Sequence, residues 1–516
     1  MYAFAASPDN PEEIHVGEME SYRSTDGGQS FEKTTEWLWG NSVGYTHCDF
    51  HVMKFVGSTL WVGSDGLVCK SEDNGDTWEN LTEGIGNRQF RKLAVSATNG
   101  NVIALGSQDN GTSIYDEGVW HEWLGADGSD PVIDVTNEDI IFGCTQSAKS
   151  LHKTTNGGYQ GEGNNVHCVN PNQNGGAFVT PMTIAGDNTI VLGLGEVYTS
   201  TDGMLSWNEI SDLGWGYENG YGTNNRISGL GVCYNNSEVI YASETYSNHI
   251  QVTQNGGTSW EDISQGLPAR AISYIAVHPT KPNKVAITFS GYLSGEKVYV
   301  SDDYGATWTN FSGSLPNLPA NCAVWSTSKD GLYVGMDVGI YYRNNTMDDY
   351  LAYNSGMPNV IVNELDISED VQKLRAATFG RGLWEADLYA QSEPTITCSF
   401  TADQTTITER ETVAFTDESE GNITAWSWKF EGGTPSDSDK QHPEVAYNEP
   451  GRYDVTLVVS SGELSDTLTK KDVIVVEASA TEYCSSRANN ANYEWIEKVE
   501  MHAFSHTSGS NGGFGD

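Results

Sequence analysis

The 516-residue sequence predicts an all-β protein, and three observations carry that prediction. A short turn motif recurs through the first three quarters of the chain. The composition is rich in glycine (56 residues) and in aromatic residues (15 Trp, 25 Tyr and 15 Phe), which is unlike the composition of a disordered chain. Between residues 393 and 478, polar and apolar residues alternate with the period of two that is typical of strands.

The turn motif sets the repeat of the first part of the chain. Five copies begin at Ser24, Ser71, Ser200, Thr253 and Ser301, and a shortened copy begins at Thr154. Successive copies start 46 to 53 residues apart, except for one gap of 83 that residues 106–115 fill as a unit without the motif. In each copy we expect the Asp or Asn to cap the turn, Gly to take a positive φ, and Trp to pack between sheets. Four short strands in such a period are typical of a β-propeller blade.

These copies of the turn motif resemble the Asp-box (BNR) repeat of sialidases, sortilin-like propellers and xyloglucanases. The resemblance covers residues 1–390 and implies a large β-propeller of about eight full blades plus a partial ninth, Val362–Leu388. The first blade, Tyr2–Phe31, needs all its own strands, so no terminal strand is left to complete the last blade. We therefore expect upstream blades to be missing; a ten-blade ring and a tandem of seven-blade rings both fit.

Two further modules are expected after the propeller. Residues 393–478 hold about seven short strands, which predicts an immunoglobulin-like sandwich. The runs Trp428–Pro435, His442–Tyr447 and Pro450–Leu457 resemble a PKD domain, a module that usually serves as a spacer or a weak contact module in secreted proteins. Residues 481–516 resemble the truncated start of a GEVED-type domain of large secreted bacterial proteins.

Charge and targeting features limit the partners. The chain has 70 acidic and 27 basic residues, a formal net charge of −43, so nucleic acid and anionic membrane surfaces would repel it. No apolar run is long enough to insert into a membrane. The N-terminus lacks a signal peptide, yet the modules resemble those of bacterial secreted or cell-surface proteins, and we expect that location. The eight cysteines are widely spaced, without a CxxC pair, which favours isolated buried thiols and leaves any disulfide pairing open.

Ligand sites are expected on the face opposite the turn motifs. That face carries the loops between the second and third strands of each blade and the links between blades. The acids in equivalent loops could bind cations or form an acid/base pair, or could be solvated turn residues; they are Glu18, Asp65, Asp109, Glu196, Glu244 and Asp337.

The segment His47-Cys-Asp-Phe-His51 has residue types suited to a divalent cation. We expect the segment to enter the inner strand of the second blade, with His47, Asp49 and His51 on one side of that strand and Asp65 in the following loop within reach. Three ligands spread along a strand are too far apart for one ion, although a pair could share it. A similar stretch precedes a Gly-x-Asp-Gly loop in sortilin-like bacterial propellers. A hydrogen-bond network, a ligand contact and a metal site all remain open; a divalent cation is the one cofactor considered.

Two enzyme resemblances supply further candidates. Asp337, in Met336–Arg343, is similar to a loop aspartate that is catalytic in xyloglucanases, although Ile340 replaces a glycine of that pattern. Its best partner for a two-carboxylate mechanism is Asp65. A sialidase-like site would need an arginine triad, for which the candidates are Arg88, Arg226 and Arg270.

Aromatic residues cluster in two links on the same face. Trp37 and Trp39, with Tyr45, lie in one link, and Trp215 and Tyr217 in another. They could stack on sugar rings or anchor a protein ligand, or pack within the loops.

The leading interpretation is a secreted recognition protein that binds polysaccharide or protein through this face. A glycoside hydrolase of xyloglucanase-like or sialidase-like type is the alternative, and a structural surface component is a third. Whether the protein is an enzyme, and its oligomeric state, stay open at this stage.

Overall fold

The computed structural model describes residues 3–38, 44–172, 175–213, 215, 226–389, 396–462, 464–479, 499–501 and 504–506. The chain divides into two compact units, Met1–Tyr389 and Ala390–Asp516. The described residues form strands and two single 3-10 turns, Gln146–Ala148 and Ser328–Asp330. Within them no helix is long and apolar enough to cross a membrane. The predicted all-β class is confirmed.

The described residues of the first unit form nine antiparallel sheets in chain order, eight with four strands and the last with three. Sheets 1 to 3 are formed by β1 (Ala3–Ala6), β2 (Ile14–Gly17), β3 (Ser21–Ser24) and β4 (Glu32–Lys33); β5 (Phe50–Val56), β6 (Thr59–Ser64), β7 (Val68–Ser71) and β8 (Glu79–Asn80); and β9 (Phe90–Val95), β10 (Val102–Ser107), β11 (Thr112–Asp116) and β12 (Val119–Leu124).

Sheets 4 to 6 continue the same meander of adjacent strands. They are formed by β13 (Val132–Ile133), β14 (Ile141–Cys144), β15 (Leu151–Thr154) and β16 (Val166–His167); β17 (Met182–Ile184), β18 (Ile190–Gly193), β19 (Val197–Ser200) and β20 (Asn208–Glu209); and β21 (Ile227–Cys233), β22 (Asn236–Glu244), β23 (Ile250–Thr253) and β24 (Glu261–Asp262).

Sheets 7 to 9 complete the unit. They are formed by β25 (Ile272–Val277), β26 (Val285–Phe289), β27 (Val298–Ser301) and β28 (Thr309–Asn310); β29 (Ala320–Ser326), β30 (Gly331–Met336), β31 (Ile340–Arg343) and β32 (Leu351–Ala352); and β33 (Val362–Ser368), β34 (Lys373–Thr378) and β35 (Leu383–Asp387).

The turn motif joins the third and fourth strands of a sheet, as its residue types predict. In sheet 2, Asp73 Oδ1 accepts hydrogen bonds from Ser71 Oγ at 2.8 Å and Thr77 N at 2.8 Å, while Gly75 takes a φ of 91°. The closing tryptophan then ties each sheet to the preceding one. Its indole N–H donates to a backbone carbonyl across that boundary, in the pairs Trp78 to Thr34, Trp207 to Val169, Trp260 to Ile210 and Trp308 to Ile263.

Seven of the nine sheets close into a ring. Their first strands, β9, β13, β17, β21, β25, β29 and β33, pack side by side, and β33 then packs against β9. Polar contacts between β9 and β33 close the ring. Lys92 Nζ lies 2.6 Å from Glu364 Oε2. Asn363 Nδ2 donates to Phe90 O at 2.8 Å, and the Val95 amide donates to Asp366. Sheets 1 and 2 pack on each other through β1 and β5 and stand outside this ring. The ring therefore has seven blades, which is the ring size of one of the two arrangements that the sequence spacing left open.

Apolar layers between neighbouring sheets form the core of the first unit. Between sheets 1 and 2, for example, Ala3 and Ala5 meet Phe50, Leu60 and Val62. The sequences of the middle strands of the ring are nearly continuous apolar runs because neighbouring sheets cover both faces of these strands.

The second unit contains a β-sandwich. One sheet has the order β36 (Phe400–Ala402), β38 (Glu411–Asp417), β42 (Glu444–Tyr447) and β40 (Gly433–Thr434). The other has the order β37 (Thr406–Thr408), β44 (Leu464–Glu477), β43 (Gly451–Ser461), β39 (Ala425–Phe430) and β41 (Asp437–Ser438). The fully buried Trp428 packs edge-on against Phe400 and donates its indole N–H to Lys440 O at 2.8 Å. A short hairpin, β45 (Val499–Met501) and β46 (Phe504–His506), is the described part of the predicted GEVED-like segment.

Candidate functional site

Five of the six predicted acids lie in the loops between second and third strands, and Glu244 is the last residue of β22. Several of them make their contacts close to their own loops. Glu196 accepts hydrogen bonds from Ser211 Oγ at 2.5 Å and from the Leu213 amide at 3.0 Å. Glu244 is 5% exposed and contacts His249 Nδ1 at 2.7 Å. Glu18 lies in the loop between β2 and β3, where its amide bonds Glu20 O. The carboxylates of Glu196 and Glu244 therefore stabilise the loops in which they make these contacts.

The segment from His47 to His51 is not one strand, contrary to the prediction. Strand β5 begins at Phe50, and Asp49 takes a φ of 61°, which turns the chain just before the strand. His47 Nε2 consequently contacts Asp109 O at 2.9 Å, whereas His51 Nε2 contacts Asp65 Oδ1 at 2.6 Å. The described side chains contain no group of three or more His, Cys, Asp or Glu residues placed to hold one metal ion.

These contacts bring several predicted residues together between sheets 2 and 3. We call His47, Asp49, His51, Asp65, Asp109 and Asp127 the acid–histidine cluster. Asn110 Nδ2 donates to Asp65 O at 3.2 Å, and the Asp109 amide donates to Asp127 Oδ1 at 2.8 Å. Sequence reasoning missed Asp127 because acids were sought between second and third strands, whereas Asp127 lies in the link that follows β12.

Within the cluster, Asp109 has a raised carboxyl pKa. Partial burial, followed by the negative charges of Asp127 and Asp65, raises the pKa of its carboxyl to about 6. A carboxyl with this pKa is half protonated at about pH 6, where it can donate a proton. The cluster therefore combines a proton-donating acid with neighbouring carboxylates.

Asp337 lies in different surroundings from Asp65. It is in the loop after β30, where its Oδ1 accepts from Asn321 Nδ2 at 3.0 Å and its amide bonds Pro319 O at 3.1 Å. The contacts of Asp65 come from sheets 2 and 3 instead. The structure thus places Asp109, and not Asp337, beside Asp65.

The three predicted arginines directly precede first strands, but each is bonded to a different part of the ring. Arg226 donates to Gly176 O, and Arg270 donates to Ser290 O at 2.7 Å. Arg88 Nη1 donates to Asn110 O at 3.1 Å and to Ser113 Oγ at 2.7 Å. Arg88 alone among the three lines the cavity described next.

The predicted aromatic platforms are only partly described. Trp215 is 7% exposed and packs in a core layer with Leu213 and Ile227, so it is not an exposed platform. Trp37 is half-buried. Trp39 and Tyr217 lie outside the described residues.

An exposed tryptophan that sequence reasoning missed opens onto a cavity of about 590 Å³. Trp120 is 47% exposed, lies in β12, and stacks on Phe90 with 5.9 Å between ring centroids. We call this cavity the Trp120 pocket; its walls are Gly84, Ile85, Gly86, Arg88, Phe90, Ser113, Trp120, His121, Glu122, Arg381, Gly382 and Leu383. It lies where sheet 3 meets the three-stranded sheet 9. No sequence motif pointed to this pocket, since sheet 3 lacks the turn motif that locates fourth strands.

Arg88 connects the Trp120 pocket to the acid–histidine cluster. Its Nη2 lies 2.5 Å from Glu122 Oε1, while its Nη1 bonds Asn110, the neighbour of Asp109. The Arg88 carbonyl also accepts from the amides of Gly380 at 3.0 Å and Gly382 at 3.4 Å. These bonds fix the loop that carries Arg381 against the pocket.

A second cavity, of about 570 Å³, is lined by the first strands of the seven ring sheets. Lys92 lies there between Glu364 and Asp130, with its Nζ 3.6 Å from Asp130 Oδ2, and Tyr274 donates its hydroxyl to Glu364. Burial is the largest influence on Asp130 and raises its pKa to about 7 even though Lys92 opposes the shift. Residues so distant in sequence gave no pattern from which to predict this network.

Comparison with known proteins identifies the second unit more clearly than the first. Residues 391–476 match the family model of the PKD domain. No curated protein matches the chain. Similar solved structures include a GH74 enzyme of Niastella koreensis, with 14% identity, a TM-score of 0.33 and coverage of 75% of this chain and 67% of that one.

Two further structures are similar at the same level. YCF48 from Cyanidioschyzon merolae has 14% identity, a TM-score of 0.32 and coverage of 67% of this chain and 95% of that one. The extracellular domain of BT4673 from B. thetaiotaomicron has 10% identity, a TM-score of 0.35 and coverage of 92% and 85%. Likeness at this level carries no functional argument.

Proposed function

We propose that this chain is a secreted or cell-surface recognition protein that binds polysaccharide in the Trp120 pocket. The observation that carries the proposal is an exposed indole, Trp120, beside a cavity of about 590 Å³ that also presents charged groups. An aromatic face with a few polar groups suits the apolar face and the hydroxyls of a sugar ring.

The geometry around Trp120 supports a preformed site. Its ring is held by Phe90 beneath it and by Tyr115, whose ring centroid is 5.0 Å away. Arg88 and Glu122 hold each other in place at 2.5 Å and offer hydrogen-bonding groups. Preorganisation lowers the entropic cost of binding.

A titration of soluble plant and algal glycans by calorimetry tests this proposal. We expect Trp120→Ala to weaken binding at least tenfold, which corresponds to about 1.4 kcal/mol. Tyr246→Ala is the matched control, since Tyr246 is 92% exposed in another loop of the ring and is not among the pocket walls. Equal loss in both variants, or binding that neither variant changes, would contradict the site. Complete absence of glycan binding would favour a protein ligand.

A second candidate, glycoside hydrolysis, is favoured by the raised pKa of Asp109. With its pKa near 6, Asp109 would protonate the leaving oxygen, and Asp65 would act as the second carboxylate. Hydrolysis should then be lost in Asp109→Asn and in Asp65→Asn. Asp337→Asn is the control: loss of turnover in that variant would instead return the catalytic role to Asp337.

A further inference from the structure

We infer that the sugar recognised in the Trp120 pocket carries a carboxylate, so that the ligand is a uronate-type saccharide. This inference rests on the proposed function and specifies its ligand. The pocket walls carry more positive than negative side chains, whereas the whole chain is strongly acidic.

The pocket is a locally basic site in a strongly acidic protein. The formal net charge of the chain is −43. The pocket walls, however, include two guanidinium groups, Arg88 and Arg381, and one carboxylate, Glu122. His121, the other titratable wall residue, bonds Gly157 O at 2.7 Å and stacks on Tyr159. Because Glu122 already lies 2.5 Å from Arg88, the positive charge of Arg381 remains uncompensated.

Arg381 is exposed, and no described residue forms an ion pair with it. Its Nη1 donates a hydrogen bond to the neighbouring Gly380 O at 2.6 Å. Most of its N–H groups are therefore free to meet a ligand. The planar guanidinium matches a carboxylate with two parallel hydrogen bonds, a geometry that ammonium groups do not offer.

The backbone around Arg381 is firmly held, although the side chain is exposed. Gly380 and Gly382 have φ values of 96° and 72°, and both amides donate to the Arg88 carbonyl. Trp384 Nε1 donates to the Arg381 carbonyl at 2.9 Å. The loop thus presents Arg381 to the cavity that Trp120 also lines, so that one sugar residue can stack on the indole while its carboxylate meets the guanidinium.

The test compares one oligosaccharide in two charge states. Calorimetry would measure the binding of trigalacturonate and of its methyl ester, which has the same rings without the negative charges. We expect the acid to bind at least tenfold more tightly than the ester. Arg381→Gln should abolish this difference, whereas Trp120→Ala should weaken both ligands. Arg452→Gln, an exposed arginine of the second unit, is the control and should behave as the wild type.

The outcomes separate this inference from the proposed function. Equal, Trp120-dependent binding of acid and ester would overturn the carboxylate preference and leave sugar binding intact. A preference for the acid that survives in Arg381→Gln would overturn the role of Arg381. If neither trigalacturonate nor its ester binds while a neutral glycan does, the ligand class is wrong; if no glycan binds, both proposals fail. Thermal unfolding of each variant checks that the fold is retained.

Discussion

At the scale of single residues, the tryptophans of the turn motif connect successive sheets. Each indole N–H crosses to a carbonyl of the preceding sheet, as in Trp308 to Ile263 O at 2.8 Å. The residue types of the motif predicted this packing because a large ring at a fixed place after a tight turn must reach the neighbouring sheet.

Trp308→Phe should lower the free energy of unfolding by about 1–2 kcal/mol, because it removes this hydrogen bond and some buried ring surface. Urea denaturation followed by circular dichroism measures the change. Trp61→Phe is the control, because Trp61 is 38% exposed in β6 and its replacement should have little effect. Equal losses at both positions would show that the boundary bond contributes nothing specific.

For the aromatic residues, burial and not residue type decides which of the alternatives left open by the sequence applies. Trp215 occupies a link between sheets, as expected, but the apolar side chains of Leu213 and Ile227 enclose it. Trp120 lies in a strand and was passed over, although it is 47% exposed. Sequence alone does not reveal which side of a link or strand a neighbouring sheet covers.

At the scale of elements, ring closure depends on a contact between residues far apart in the chain. Lys92 in β9 and Glu364 in β33 are 272 positions apart and 2.6 Å from each other. Repeat spacing can predict the number of sheets, since it is local. It cannot predict which sheet closes on which, and so it left the seven-sheet ring as one of two alternatives.

Lys92→Met should destabilise the first unit by about 3–5 kcal/mol, because it leaves Glu364 and Asp130 without their cation in a largely buried site. Lys92→Met combined with Glu364→Leu should cost less than the single change, since one of the two uncompensated carboxylates is then gone. Chemical denaturation of the three proteins measures both effects. A double variant less stable than Lys92→Met would contradict an electrostatic role for the pair.

At the scale of the whole molecule, buried carboxyls make stability depend on pH. The pKa is raised to about 7 for Asp130 and to about 6 for Asp366, in both cases mainly by burial. Such groups bind protons on folding, so they lower the free energy of unfolding as pH rises from about 4 to about 7. The turn aspartates Asp26 and Asp202, whose pKa is lowered to about 2 by hydrogen bonds, act in the opposite direction and only below about pH 4.

Asp130→Asn should therefore flatten the pH dependence. We expect the wild type to lose more stability than the variant between pH 4.5 and pH 7.5 in urea titrations. General charge repulsion also grows over this range in a chain of net charge −43, but it affects both proteins nearly equally. Parallel pH profiles for the two proteins would contradict the assignment of the raised pKa to Asp130.

The measurement that tests the central claim most directly is a crystal structure of the chain with a bound uronate oligosaccharide. The account predicts one sugar ring stacked on Trp120, with its carboxylate against Arg381 and its remaining rings directed towards the acid–histidine cluster. An oligosaccharide bound elsewhere on the seven-sheet ring of the protein, with the Trp120 pocket empty, would contradict the account.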